Sequence, residues 1–350
     1  MVCGTASGHG AVLRWLARVA LGLTIVVGPM GPATRVATGT KASFRAVSAS
    51  PDGRSVWATG TSGTILLGRD GSEWIRDSLP AAVSFDLRGV AAVRGGVTYA
   101  MVAGADTARI YKTANAGGSW HLQYDDTRHG AFLDGLAFWD VDHGIALGDP
   151  MDGAFVVLTT SDGGAHWVRV PSSALPAPLA GEAAFAASNT ALVIGPAGLA
   201  WFVTGGGARA RVYRSEDAGQ HWTVADLPIP AGDARSGAFS LTIRDREHGL
   251  AVGGDYAKPD SARPNVARTD DGGRTWTLVD SARVVPYVSA VAAAGGDTAV
   301  ATGPRGTYVT VDWGEHWQRA DSLPYNAVAI RNGRAILVGP AGAAAFLPLR

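Results

Sequence analysis

Short apolar runs alternate with turn-forming residues along this chain, and their spacing predicts strands. Around Trp167, residues 133–139, 145–148, 154–160 and 167–170 each read as one strand. The first turn between them begins at Asp140 and closes on Gly144. The same phase returns around Trp276, at 239–244, 250–253, 266–269 and 276–279, with a turn from Asp245 to Gly249.

Within each group of four runs, the turn between the third and fourth carries one pattern, Ser/Thr-x-Asp-x-Gly-x-x-Trp. It stands complete at 160–167, 215–222, 269–276 and 310–317. A copy at 113–120 has Asn115 in place of Asp, and a shortened one runs from Asp70 to Trp74. The closing tryptophans, at 74, 120, 167, 222, 276 and 317, are separated by 46, 47, 55, 54 and 41 residues. Four short strands per period of this length describe a propeller blade. Six blades follow, at about 42–79, 84–126, 132–171, 181–227, 236–280 and 287–323. The remaining residues still hold three strands, at 326–330, 335–339 and 343–347, so the pattern predicts an all-β, seven-bladed propeller, with six blades as the alternative. The missing outer strand of the last blade is expected from residues 36–41, which would close the ring and remove its exposed edges. The two long periods point to insertions at 195–210 and 255–265, where function commonly departs from scaffold.

Composition agrees and narrows the function. Of 350 residues, 47% are apolar and 17% charged, and 47 glycines with 18 prolines suit many tight turns. Thirty basic residues balance thirty acidic ones, so no overall field attracts nucleic acid. Residues 1–33 read as an export signal, with Arg14 and Arg18 ahead of an apolar stretch at 19–30 and small residues before Thr34. Removing them leaves 28 basic and 30 acidic residues, a net charge of −2, on one domain spanning 34–350. The expectation is an exported monomer, periplasmic or extracellular, with no membrane span after cleavage. Cys3, the only cysteine, falls in that segment, which excludes disulfides and thiolate chemistry from the mature chain.

The motif residues suit a turn better than a reaction. The aspartate accepts from backbone amides just ahead of it, the glycine permits positive φ, and the tryptophan covers the turn. Asn115 keeps the acceptor without the charge. Asp70, Asn115, Asp162, Asp217, Asp271 and Asp312, with Trp120, Trp167, Trp222, Trp276 and Trp317, are therefore assigned to structure. These octapeptides resemble the Asp-box, or bacterial neuraminidase repeat, of sialidases and many non-enzymatic propellers. Segments between them, including Phe44 to Ser48, Phe132 to Asp140, Gly148-Asp-Pro150 and Val252 to Asp255, resemble the photosystem II assembly-factor-like propellers of non-photosynthetic bacteria, a group often given the name oxidoreductase. The resemblance implies a seven-bladed propeller and export, and no established reaction.

Several chemistries fail on the residues. Sialidases carry an Arg-x-Pro element where this chain has Arg45-Ala-Val47, and no arginine triad is evident. No glycine-rich strand-to-helix turn serves a nucleotide, and the eight histidines are dispersed over different blades, so neither cofactor nor metal is expected. What remains is a polar set on the innermost strands: Arg45 and Arg88 opposite Asp134 and Glu182, with Asp149 and Asp255 as further ligand-binding candidates. The expected function is a non-catalytic scaffold binding a protein or glycan at the channel mouth or the long loops. Its rival is a sialidase-like glycan hydrolase with Asp134 and Glu182 as the carboxylate pair.

Overall fold

A computed structural model describes Met1 and residues 31–68, 73–79, 84–261, 263–280 and 285–349. The export signal, Cys3 and Asp70 lie outside the described residues, as does most of the shortened turn before Trp74. The described strands form seven four-stranded antiparallel sheets. Six sheets take their strands in chain order, from the innermost to the outermost. They begin with Phe44–Ala49, Leu87–Ala92, Leu133–Phe138, Leu192–Ile194, Ser236–Ile243 and Ala290–Gly295. The seventh consists of Ala327–Arg331, Arg334–Val338 and Ala344–Pro348, and Thr34–Arg35 pairs on its outer edge. Thr34 faces Phe346, and the amide of Val36 donates to the carbonyl of Ala344 at 3.0 Å. The ring thus closes with a strand taken from just before the segment expected for it.

Each blade is too thin to enclose a core, so the apolar faces of neighbours pack together. Tyr99 and Met101 of blade two meet Leu133, Leu136 and Ala146 of blade three, and Trp201 and Val203 of blade four meet Leu241 and Ala251 of blade five. The repeated turns sit on these seams. In the third blade Thr160 Oγ1 donates to Asp162 Oδ1 at 2.9 Å, while the amide of Gly164 donates to Thr160 Oγ1. The His166 amide and ring nitrogen reach the two carboxylate oxygens at 2.9 and 2.6 Å. In the blade-two copy Asn115 Oδ1 keeps both acceptor contacts and its amide donates to Ser119 Oγ at 3.2 Å. A hydroxyl that can accept thus stands where the Asp copies place His or Thr. The motif glycine has a second duty beyond its φ. A Cβ on Gly273 (φ 91°) would lie 2.8 Å from Trp201 Nε1 on the preceding blade, and one on Gly219 2.8 Å from Ile145.

The fourth blade departs from the sequence expectation. Its innermost strand begins at Leu192, and the extra residues of its long period lie upstream, at 181–191, not within 195–210. Residues 186–190 form a turn across the channel. Asn189 Nδ2 donates to the carbonyls of Val90 and Leu136, and its Oδ1 accepts from the Leu136 amide at 2.9 Å. Ser188 Oγ donates to the carbonyl of Ser289, and Thr190 Oγ1 lies 2.6 Å from Ser240 Oγ. A segment rich in Ala, Ser and Asn gains more from satisfying carbonyls of three other blades and a hydroxyl of a fourth than from forming an edge strand. It plugs the channel.

Candidate functional site

The mouth above this plug is shaped by bulges. The pairing of first and second strands slips between Phe44 and Ala46, Leu87 and Gly89, Leu133 and Gly135, and Ala238 and Ser240. Each slip inserts one residue at the same level of its blade: Arg45, Arg88, Asp134 and Phe239. A bulge re-aims the side chain of the extra residue, and four at one level concentrate four side chains there. The signal was readable: Phe44-Arg-Ala-Val47, Leu87-Arg-Gly-Val90, Leu133-Asp-Gly-Leu136 and Ala238-Phe-Ser-Leu241 all put two residues, not one, between apolar positions.

The electrostatics of the set are uneven. Arg88 reaches the plug, donating to the carbonyl of Ala186 at 3.5 Å, pairs with Asp86 at 3.5 Å and lies 5.8 Å above the Phe132 ring. Burial, and then the nearby charge of Arg45, lower its affinity for its proton. Nε of both Arg45 and Arg88 is buried without a hydrogen-bond partner. Asp134 is fully buried, and neither carboxylate oxygen reaches a donor within hydrogen-bond geometry. Burial, and next the proximity of Asp149, push its carboxyl well above the usual range, while Arg88 and the Ala186 amide pull weakly the other way. Asp149 accepts from the amide of Ala184 at 3.1 Å, and burial pushes it up to about 6.

Glu182 does not join this set as expected. Arg211 Nε donates to its Oε1 at 2.9 Å and Arg211 Nη2 to its Oε2. Thr204 Oγ1 and the Leu179 amide add bonds at 2.6 and 2.7 Å. The expected pairing with Arg45 and Arg88 fails because Arg211, on the same blade, offers a bidentate fork. The structure instead brings Asp149 to Asp134, a neighbour the strand pattern did not pair with it.

Aromatic rings extend the mouth toward blade five. Phe185 stacks on Phe239 at 3.9 Å, and Phe239 meets Tyr287 and Tyr256 edge-on at 4.9 and 6.2 Å. Tyr287 is nearly buried and feels the charge of Arg45, whereas Tyr256 is 50% exposed. Asp255 stands beyond them, bonded to the Ala257 amide at 2.9 Å and 3.8 Å from Lys258. The described residues contain no cluster of three or more His, Cys, Asp or Glu side chains able to hold a metal, and no helix long and apolar enough to cross a membrane.

No protein-family model matches this chain, and no curated protein does either. Solved structures do. The chain is similar to a structure described as YCF48 bound to D1 peptide, with a TM-score of 0.66 and 14% identity over 91% of this chain and 98% of that one. YCF48 from Cyanidioschyzon merolae gives 0.66 and 12%, over 91% and 99%. The GH74 enzyme of Niastella koreensis gives 0.63 and 14%, over 89% of this chain but 53% of that one. At these identities the likeness shows the fold, a seven-bladed β-propeller of the kind the sequence resembled.

Proposed function

We propose that the chain is an exported, non-catalytic propeller scaffold that holds a protein partner at the channel mouth. One observation carries the reading: four blades bulge at one level to gather Arg45, Arg88, Asp134 and Phe239 over a closed plug, with buried donors and acceptors left unmatched. Arg45 and Arg88 stay part-exposed, so the ends of their guanidinium groups are open to an acceptor on a ligand. The adjoining aromatic rings and the exposed Tyr256 suit a polypeptide, as does similarity to a propeller whose structure holds a peptide. Export is supported by the pattern at 1–33 and by the position of Thr34, since cleavage after Ala33 leaves the closing strand whole.

The test compares the mature chain with an Arg45→Gln, Arg88→Gln double variant as bait in extracts of the native envelope. A partner retained by the first and lost by the second, at equal thermal stability, supports the proposal. Equal capture by both overturns it. Mass measurement of the exported chain should place its first residue at Thr34.

The rival hydrolase loses one member of its pair, because a carboxylate saturated by Arg211, Thr204 and Leu179 has no free oxygen for a substrate. It keeps one argument, the raised affinities of Asp134 and Asp149 for protons, which are frequent at catalytic acids. Glycan hydrolysis abolished by Asp149→Asn would establish it.

A further inference from the structure

The face of the ring opposite the mouth is divided by charge. It is formed by the turns that follow the innermost strands, at the end of those strands away from the bulges. In blades seven, one and two these turns carry Arg331 and Arg334, Arg54, and Arg94. The three turns touch. Arg331 Nη2 donates to the carbonyl of Gly53. Asp52, held below its usual value first by Ser50 Oγ and then by the Arg54 amide, also draws on the Gly95 amide of the next turn. Asp52 is the one acid in these turns. Glu73 stands further out, ahead of the outer strand of blade one, and blade seven has no acidic residue from Ala327 to Pro348.

Two observations set this sector apart. Arg54, Arg94 and Arg334 are exposed and hold no carboxylate among the described residues, whereas Arg169, Arg244 and Arg305 elsewhere each hold one. The second concerns the repeated turn of blade two, whose Ala116 amide donates to the carbonyl of Gly96 at 3.0 Å and so seats it against the turn of Arg94. Its acceptor is Asn115. The four complete copies have Asp there, and an Asp in blade two would set a negative charge beside this sector.

The rest of the face narrows the partner. The corresponding turn of blade four is uncharged and that of blade five is balanced, but blade three presents Asp140 and Asp142 and blade six Asp297. The complete repeats, with their aspartates, open on the same side, as the Gly163 amide on the carbonyl of Asp142 and the Trp313 amide on that of Asp297 show. A bilayer or a DNA duplex lying across the face would meet those carboxylates as well as the arginines. A second copy of the chain has few carboxylates to offer, because Asp140 is engaged by His143, Asp297 by Arg244 and Asp162 by its own turn. A narrow anionic chain meets the arginines alone.

We propose that this face docks an acidic polypeptide segment of another protein, laid across blades seven, one and two with its carboxylates on Arg54, Arg94 and Arg334. A guanidinium donates two parallel bonds to a carboxylate, which suits arginine to the task better than lysine. The docking is independent of a partner at the mouth.

The experiment titrates the mature chain into fluorescently labelled octaglutamate, with vesicles of phosphatidylglycerol and a short DNA duplex as competing probes. Octaglutamate should bind saturably, and rising salt should weaken it. An Arg54→Gln, Arg94→Gln, Arg334→Gln variant, changed only at exposed turns and matched in unfolding midpoint, should bind about tenfold more weakly, as the loss of three exposed ion pairs implies. Asn115→Asp should weaken binding about twofold. The Arg45→Gln, Arg88→Gln variant should bind octaglutamate normally. The assignment is overturned by no saturable binding, by equal binding in the triple variant, by binding lost with the mouth arginines, or by tighter binding of vesicles or duplex. Self-association that disappears in the triple variant would overturn it too, by giving the face to a second copy.

Discussion

At the rim of the ring, the carboxylates of the repeated turns are surrounded by donors, whereas at the mouth of the channel Asp134 is buried with none in reach. Asp162 accepts from a hydroxyl, a backbone amide and an imidazole, and the His166 amide and ring, the largest causes, bring it down to about 2. Asp149 at the mouth moves the opposite way, up to about 6, because burial outweighs its single amide donor. The same side chain therefore serves as a brace in one place and as an unmet acceptor in the other. Which role it takes depends on how many donors the backbone brings, not on the residue. The turn at the rim is a local structure that satisfies itself. The bulged mouth places side chains where the neighbouring backbone brings too few donors, and Asp134 is left buried without a hydrogen bond.

The comparison can be broken most severely at Glu182, which belongs to neither class: it is buried like the mouth and saturated like the rim. Arg211→Gln should cost about 3–5 kcal/mol in denaturant unfolding, since it leaves a buried carboxylate unpaired. A double-mutant cycle should find strong coupling between Glu182 and Arg211 and none between Glu182 and Arg45; coupling to Arg45 would return Glu182 to the mouth.

Next in size is the seam. Gly273→Ala combines left-handed backbone with overpacking against Trp201, and about 3 kcal/mol should be lost. Gly130→Ala, with φ 84° and no atom within 4 Å of the added carbon, should lose only about 1 kcal/mol. Equal losses would mean that the motif glycine is kept for its φ alone.

The pH profile tests the contrast itself. Asp149 holds its proton more tightly folded than unfolded, so its contribution is full below about pH 4 and is lost as pH rises through about 6, by roughly 3 kcal/mol. Asp149→Asn, which can still accept from the Ala184 amide, should remove that loss and stabilise the chain at neutral pH by a similar amount. Asp162 has the opposite sign: its contribution is present above about pH 4 and fades as pH falls toward 2. A chain whose stability did not fall between pH 4 and 6 would show that the mouth is not desolvated.

The smallest effect should come from Asp271→Asn. Asn115 already fills the equivalent place, so the loss should stay below about 1 kcal/mol, against about 1–2 for Asp271→Ala, in the same unfolding measurement. An Asn as damaging as Ala would give the negative charge a role the blade-two turn does without.

The sequence by itself determined the blades. Alternating short strands and an octapeptide turn are local patterns, fixed by side chains within a few residues of one another, and they gave the architecture, the blade number and the closing edge to within a few residues. They also brought Arg45, Arg88 and Asp134 to notice. Only the tertiary structure decided which charges meet. Glu182 lies with Arg211, Asp134 beside Asp149 and Arg88 against the carbonyl of Ala186 because bulges and ring closure bring together residues from different strands and different blades. The plug at 186–190 was missed for the same reason. Its hydrogen bonds run to four other blades, across separations of 50 to 101 residues, far beyond the few residues over which a strand or turn pattern is read.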